Sequence, residues 1–205
     1  MSDPLLPGPE IPLLLKIVLT TFVAILIPIY WWYYGPGNFL WFSDLALFLS
    51  TAALWLESPL IASTQAVSVG LLEVVWLTDF LARLLRLKLI GLSEYMFDRK
   101  IPPFIRGLSL FHVALPFLVF WLVWELGYDT RALLVQTILA WLVLLTCYFL
   151  TDPKENVNWV FGWGKEKQTV MSPFAYLLLV LAVFPVCIYL PSHFLLEFIM
   201  PPAIS

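Results

Sequence analysis

Charge is what this chain has least of. Only 12% of its 205 residues are Asp, Glu, Lys or Arg, about half the share a water-soluble domain uses to cover its surface. That deficit excludes a soluble globular domain and points to a surface solvated by lipid. The net charge of −3 gives no sign of a nucleic-acid partner. Histidine is almost absent, with only His112 and His193. A zinc site takes three or four ligands at defined spacing, so neither a metal centre nor bis-histidine haem ligation is expected, and the histidine-rich hydrolases of the alkaline ceramidase type are a poor match. The two cysteines, Cys147 and Cys187, lie in apolar runs at different expected depths, so no disulfide is expected. There is no glycine-rich phosphate loop and no GxSxG elbow. Met1–Glu10 has no basic segment and no small-residue cleavage site follows, so the first apolar run reads as a retained helix rather than a signal peptide.

What the chain has in excess is apolar and aromatic surface: 61% hydrophobic residues, 17% aromatics and ten Trp, with a mean hydropathy of +0.91. Trp and Tyr collect at membrane–water interfaces. A spanning helix takes about 20 mostly apolar residues, and six such stretches follow one another, near 11–34, 38–56, 59–85, 103–126, 131–150 and 173–190. They are separated by Gly35-Pro36-Gly37, Glu57-Ser58-Pro59, Gly127-Tyr128-Asp129 and two polar loops. The expectation is an all-α, polytopic transmembrane bundle of about six helices, forming one integral membrane domain over 1–205. The basic loop 86–102 is expected to carry a short interfacial helix within 87–97, and 151–170 to form a second loop on the same side. The apolar tail after Pro191 reads as either an interfacial segment or a kinked continuation of the last helix.

Six crossings place both termini on one face, with Lys16 and Arg131. The other face has Arg83, Arg86, Lys88, Arg99, Lys100, Arg106, Lys154, Lys165 and Lys167. The positive-inside rule makes that second face cytoplasmic and puts both termini outside.

Against this apolar background each polar residue calls for a reason, because an ionisable group at a helix centre costs at least about 2.5–3.5 kcal/mol to insert. Ser43 and Asp44 stand about 8–9 Å inside helix two and His112 about 9 Å inside helix four, with Asp79 at the end of helix three and Asn156 and Asn158 just past helix five. All share one depth beneath the basic face. Helical phase gathers Ser43, Ser50 and Glu57 on one side of helix two, and Ser109, His112 and Pro116 on one face of helix four. On helix three, Gln65, Trp76 and Asp79 fall in a narrow arc with Glu73 beside it. Structural roles compete: Asp79 and Arg83 are spaced as an i,i+4 ion pair, the asparagines suit turns, and serine in a membrane helix commonly bonds its own backbone.

Three segments, Asn38–Leu49 (NFLWFSDLALFL), Leu108–Pro116 (LSLFHVALP) and Asn156–Phe161 (NVNWVF), resemble in order and spacing the YwaF-like integral membrane family, whose eukaryotic branch includes an ether-phospholipid acyltransferase. The resemblance implies a thioester-forming cysteine and a catalytic histidine. Ser43 occupies the cysteine position and His112 the histidine position. A serine hydroxyl is protonated at neutral pH and needs a base to attack an acyl group. The expected enzyme is therefore an acyltransferase or acyl hydrolase working on membrane lipids, with Ser43 as nucleophile, His112 as base and Asp44 or Asp79 as orienter. Asn156, Asn158, Arg106 and Ser109 are candidate substrate-binding groups, the asparagines as oxyanion donors, and no metal or cofactor is called for. Losing the cysteine equally suits a non-catalytic scaffold or subunit, in a larger membrane complex or a homo-oligomer.

Overall fold

The computed structural model describes residues 11–164 and 167–203. Met1–Glu10 and Lys165 lie outside them. The fold is an all-α bundle, and five of its helices are long and apolar enough to cross a membrane: α1 (Leu13–Tyr34), α3 (Pro59–Leu84), α4 (Pro103–Leu126), α5 (Ala132–Leu150) and α6 (Pro173–Ile199). The sixth, α2 (Phe42–Leu56), has 15 residues, about 22 Å of helix against a hydrocarbon core of about 30 Å. The expected second span is thus shorter than the sequence suggested. Its first residues form a separate 3₁₀ turn, Pro36–Leu40, so α2 starts below the end of α1 and leaves room above itself.

Local chemistry sets the boundaries. Gly35 ends α1 at φ +83°, a conformation that costs side-chain-bearing residues energy. Ser58 caps α3, its Oγ accepting from Ile61 N at 3.4 Å, and Pro59 takes the first helical position, where a missing N–H is no loss. Ser172 and Pro173 repeat this at α6. The apolar tail continues α6 through a π-helical turn, Phe184–Tyr189, into Leu190–Ile199. Pro185 lies in that turn, and its missing N–H breaks the regular ladder there.

α3 is the central element, and it packs most extensively on α4. Gly70 makes this approach close: a Cβ there would sit 2.9 Å from Phe120 Cε1. Contacts at the two ends tie the helices together. At one end Lys16 meets Glu57 at 2.6 Å, Asp129 N donates to Ser63 Oγ, and the segment after α6 pairs with the α4–α5 connection. There Tyr128 N donates to Pro201 O and Ala203 N to Tyr128 O. The other end carries the loops 85–102 and 151–172, and with them most of the Lys and Arg.

The expected interfacial helix within 87–97 does not form. The backbone runs through turns to a single 3₁₀ turn, Glu94–Phe97, because three of its N–H groups are drawn elsewhere. Ile90 N and Gly91 N donate to Asp79 Oδ1, and Ser93 N and Oγ to Asp79 Oδ2, all at 2.7–2.9 Å. A helix would have needed those amides for its own ladder. Both cysteines are free, Cys147 buried and Cys187 exposed.

Candidate functional site

A cavity of about 600 Å³ opens at the basic end of the bundle. The end of α1, the 3₁₀ turn and start of α2, the middle of α3, the start of α4 and Phe184 of α6 form its walls, and both basic-end loops contribute to them. Ser43, Asp44, Ser109, His112, Asn156 and Asn158 all line it, so six of the eight sequence-derived site residues meet in one place. Asp79 and Arg106 do not line it.

His112 is held at the head of α4 between two irregularities. The helix breaks at Ser109–Leu110, and Pro116 four residues on has no N–H to offer the His112 carbonyl. The ring stacks between Trp76 (centroids 4.7 Å apart) and Phe111 (4.2 Å). Its Nδ1 lies 2.9 Å from Glu73 Oε2 and 3.1 Å from Oε1. Glu73 is itself buried. This is the carboxylate that orients the imidazole, in place of the expected Asp44 or Asp79. An ionised carboxylate only accepts, so with Glu73 ionised Nδ1 carries the proton in this bond. Nε2 has no hydrogen-bond partner among the described residues.

Asp79 does a different job, collecting the loop amides of 90–93, and the expected i,i+4 pair with Arg83 is replaced by Arg83 facing Glu94 at 3.7 Å. Arg106 reaches away from the cavity, donating from Nη1 to Met96 O. The two asparagines are backbone clamps. Asn156 Nδ2 donates to Gly162 O and Gly164 O, and its Oδ1 accepts from Phe161 N. Asn158 Oδ1 accepts from Phe42 N, the first residue of α2, while its Nδ2 donates to Leu40 O. With both amides so engaged, neither is free to hold an oxyanion. Ser109 Oγ pairs with Tyr30 OH at 2.7 Å. Ser43 lines the cavity without a hydrogen bond to His112. Gln65 and Gln136 are buried near the opposite end.

The walls are largely aromatic, which residue-by-residue reading of the polar groups missed. Tyr30, Tyr34, Trp41, Trp76, Tyr95, Trp159 and Trp163 all face the space. The available signal was the abundance of Trp at the expected helix ends. Burial holds the Tyr95 phenol well above its usual pKa, so it remains a hydrogen-bond donor at any physiological pH. At the mouth, the Glu155 carboxylate packs on the 3₁₀ turn, where a Cβ at Gly37 would come within 2.8 Å of Oε2. Among the described residues no group of three or more His, Cys, Asp or Glu side chains is arranged to hold a metal ion.

No protein-family model, curated protein or solved structure matches this chain. The functional reading therefore stands on the site itself.

Proposed function

We propose that the chain is a membrane-embedded enzyme that transfers or hydrolyses a lipid acyl group, working from the cytoplasmic leaflet at the basic end of the bundle. One observation carries the reading: His112 Nδ1 is fixed at 2.9 Å by the buried Glu73 carboxylate, which leaves the Nε2 lone pair as a base in a cavity that also holds the Ser43 hydroxyl. A carboxylate that fixes tautomer and ring orientation is what an imidazole needs to serve as a general base.

The steps follow from these groups. Ser43 Oγ gives its proton to His112 Nε2 and forms a bond to the acyl carbonyl carbon. The tetrahedral oxyanion is met by the backbone N–H of Ser43, which, in the first turn of α2, has no helical carbonyl to bond. As the carbon–oxygen bond to the lipid breaks, His112 returns the proton to the departing alkoxide. Water, or the hydroxyl of a second lipid, then repeats the sequence on the acyl-serine. The likeness of the three segments to the YwaF-like family supports the same pair of positions.

A non-catalytic subunit is the second reading, favoured by the missing hydrogen bond between Ser43 and His112. The two separate on chemistry. Ser43→Ala and His112→Ala should each abolish labelling by a lipophilic fluorophosphonate and alter the acyl composition of host lipids. If both variants match the wild type in both readouts, the catalytic reading fails.

A further inference from the structure

The cavity holds a carboxylate that the chemistry above does not use. Asp44 is only 4% exposed and lines the cavity, yet among the described residues its only hydrogen bond to another residue is a long one, 3.4 Å from Asn38 Nδ2. Burial disfavours its negative charge, and its place in the first turn of α2 only partly offsets that through the helix dipole. A buried ionised carboxylate with so little compensation is costly unless a counter-charge joins it. No Lys or Arg does so within the described residues.

The sign of the whole cavity agrees. Asp44, Glu73 and Glu155 face it against Lys154 and His112, and Lys154 and Glu155 are both exposed at the mouth. Among the described residues the lining is net negative whenever Asp44 is ionised, whether or not His112 is protonated. The walls add a second preference. Trp41, Trp159 and Trp163 form a run of indoles, with centroids 6.5 Å apart for the first pair and 4.7 Å for the second, and Tyr34 stands beside Asp44's end of the space. Aromatic faces attract cations, most effectively weakly hydrated ones. They cannot replace the oxygen ligands of Na⁺ or Mg²⁺. An ammonium carrying alkyl groups loses little hydration and gains contact with the aromatic faces.

We propose that this cavity binds a substituted ammonium ion, with Asp44 as counter-charge and the indoles of Trp41, Trp159 and Trp163 as its cage. The site is far larger than the ammonium alone, so the remaining volume takes what the ammonium is attached to. The source is a free solute cation or the headgroup of a zwitterionic lipid. The proposal rests on the cavity and not on acyl chemistry at Ser43.

The test uses the full chain in a maltoside detergent, titrated with tetramethylammonium chloride against NaCl at equal ionic strength, with Trp fluorescence as readout. A saturable change is expected, with affinity weakened at least about tenfold in Asp44→Asn. Trp163→Ala, at an exposed position, should weaken it several-fold and keeps the question open to measurement if Asp44→Asn does not fold. Dibutyroyl-phosphocholine and dibutyroyl-phosphoglycerol separate the sources. Tighter binding of the phosphocholine than of tetramethylammonium identifies a headgroup site, and equal or weaker binding identifies a free cation. Binding of neither cation, equal binding by the wild type and the folded variants, or equal competition by the phosphoglycerol would overturn the proposal. In His112→Ala the cation should still bind. Failure of the catalytic reading would leave that result untouched, and the reverse holds too.

Discussion

Asp79→Ala should release the loop that walls one side of the cavity while leaving the bundle folded. The carboxylate accepts four hydrogen bonds, two on each oxygen, from Ile90, Gly91 and Ser93. A hydrogen bond to a charged group contributes about 1.5–3 kcal/mol. These four share one acceptor and fail together, and the loop's outer side recovers water. The net loss is therefore about 3–4 kcal/mol, near the top of what single substitutions do. It falls on the local opening of the loop and not on global unfolding, because α3 keeps its packing on α4 and α2. With about 1.4 kcal/mol per tenfold, amides 90, 91 and 93 should exchange about 10²–10³ times faster. Asp79→Asn retains one oxygen and about half of the contacts, so its effect should fall midway on the logarithmic scale. Hydrogen–deuterium exchange with mass spectrometry in detergent resolves this directly. Unchanged protection across 90–93 in Asp79→Ala would refute the anchoring role. Loss of His112 chemistry with a fully protected loop would restore Asp79 as the orienter.

Two further substitutions probe the frame around the site. Gly127→Ala places a Cβ 2.5 Å from both Ala203 Cα and Pro202 O at a φ of +84°, so the terminal segment must leave Tyr128. A loss of about 2–3 kcal/mol is expected as a lower midpoint of thermal unfolding in detergent, and an unchanged midpoint would refute that contact. Asn158→Ala removes the acceptor for Phe42 N and the donor to Leu40 O, and should cost about 1–3 kcal/mol. Its signature is faster exchange in the first turn of α2, and protection there equal to wild type would show that the cap is dispensable.

The crossings were legible because hydropathy over about 20 residues is a property of the segment alone. The layer of polar groups was legible because depth follows from counting residues along a helix of fixed rise. What a polar side chain does at that depth depends on partners far away in sequence. Asn158 reads as a free amide until Phe42, 116 residues earlier, is found donating to it. Asp79 reads as half of an ion pair because Arg83 is one turn on, yet backbone amides 11 to 14 residues later outcompete it. Glu73 was visible beside the polar arc of α3, but its claim on His112 depends on how α3 and α4 rotate against each other. The shortness of α2 was hidden because Phe39, Leu40 and Trp41 run apolar straight into it.

The pairing of Tyr128 with residues 201–203 sets an order on assembly. Residue 203 follows residue 128 by 75 positions, which at about 5–20 residues per second is roughly 4–15 s of synthesis. During that interval α1 to α5 can already be inserted, yet the connection between α4 and α5 still lacks its backbone partners. The edge opposite the cavity then closes after the cavity wall, and ribosomes arrested before residue 201 is exposed should hold a bundle whose cavity wall is built while that edge stays open to protease.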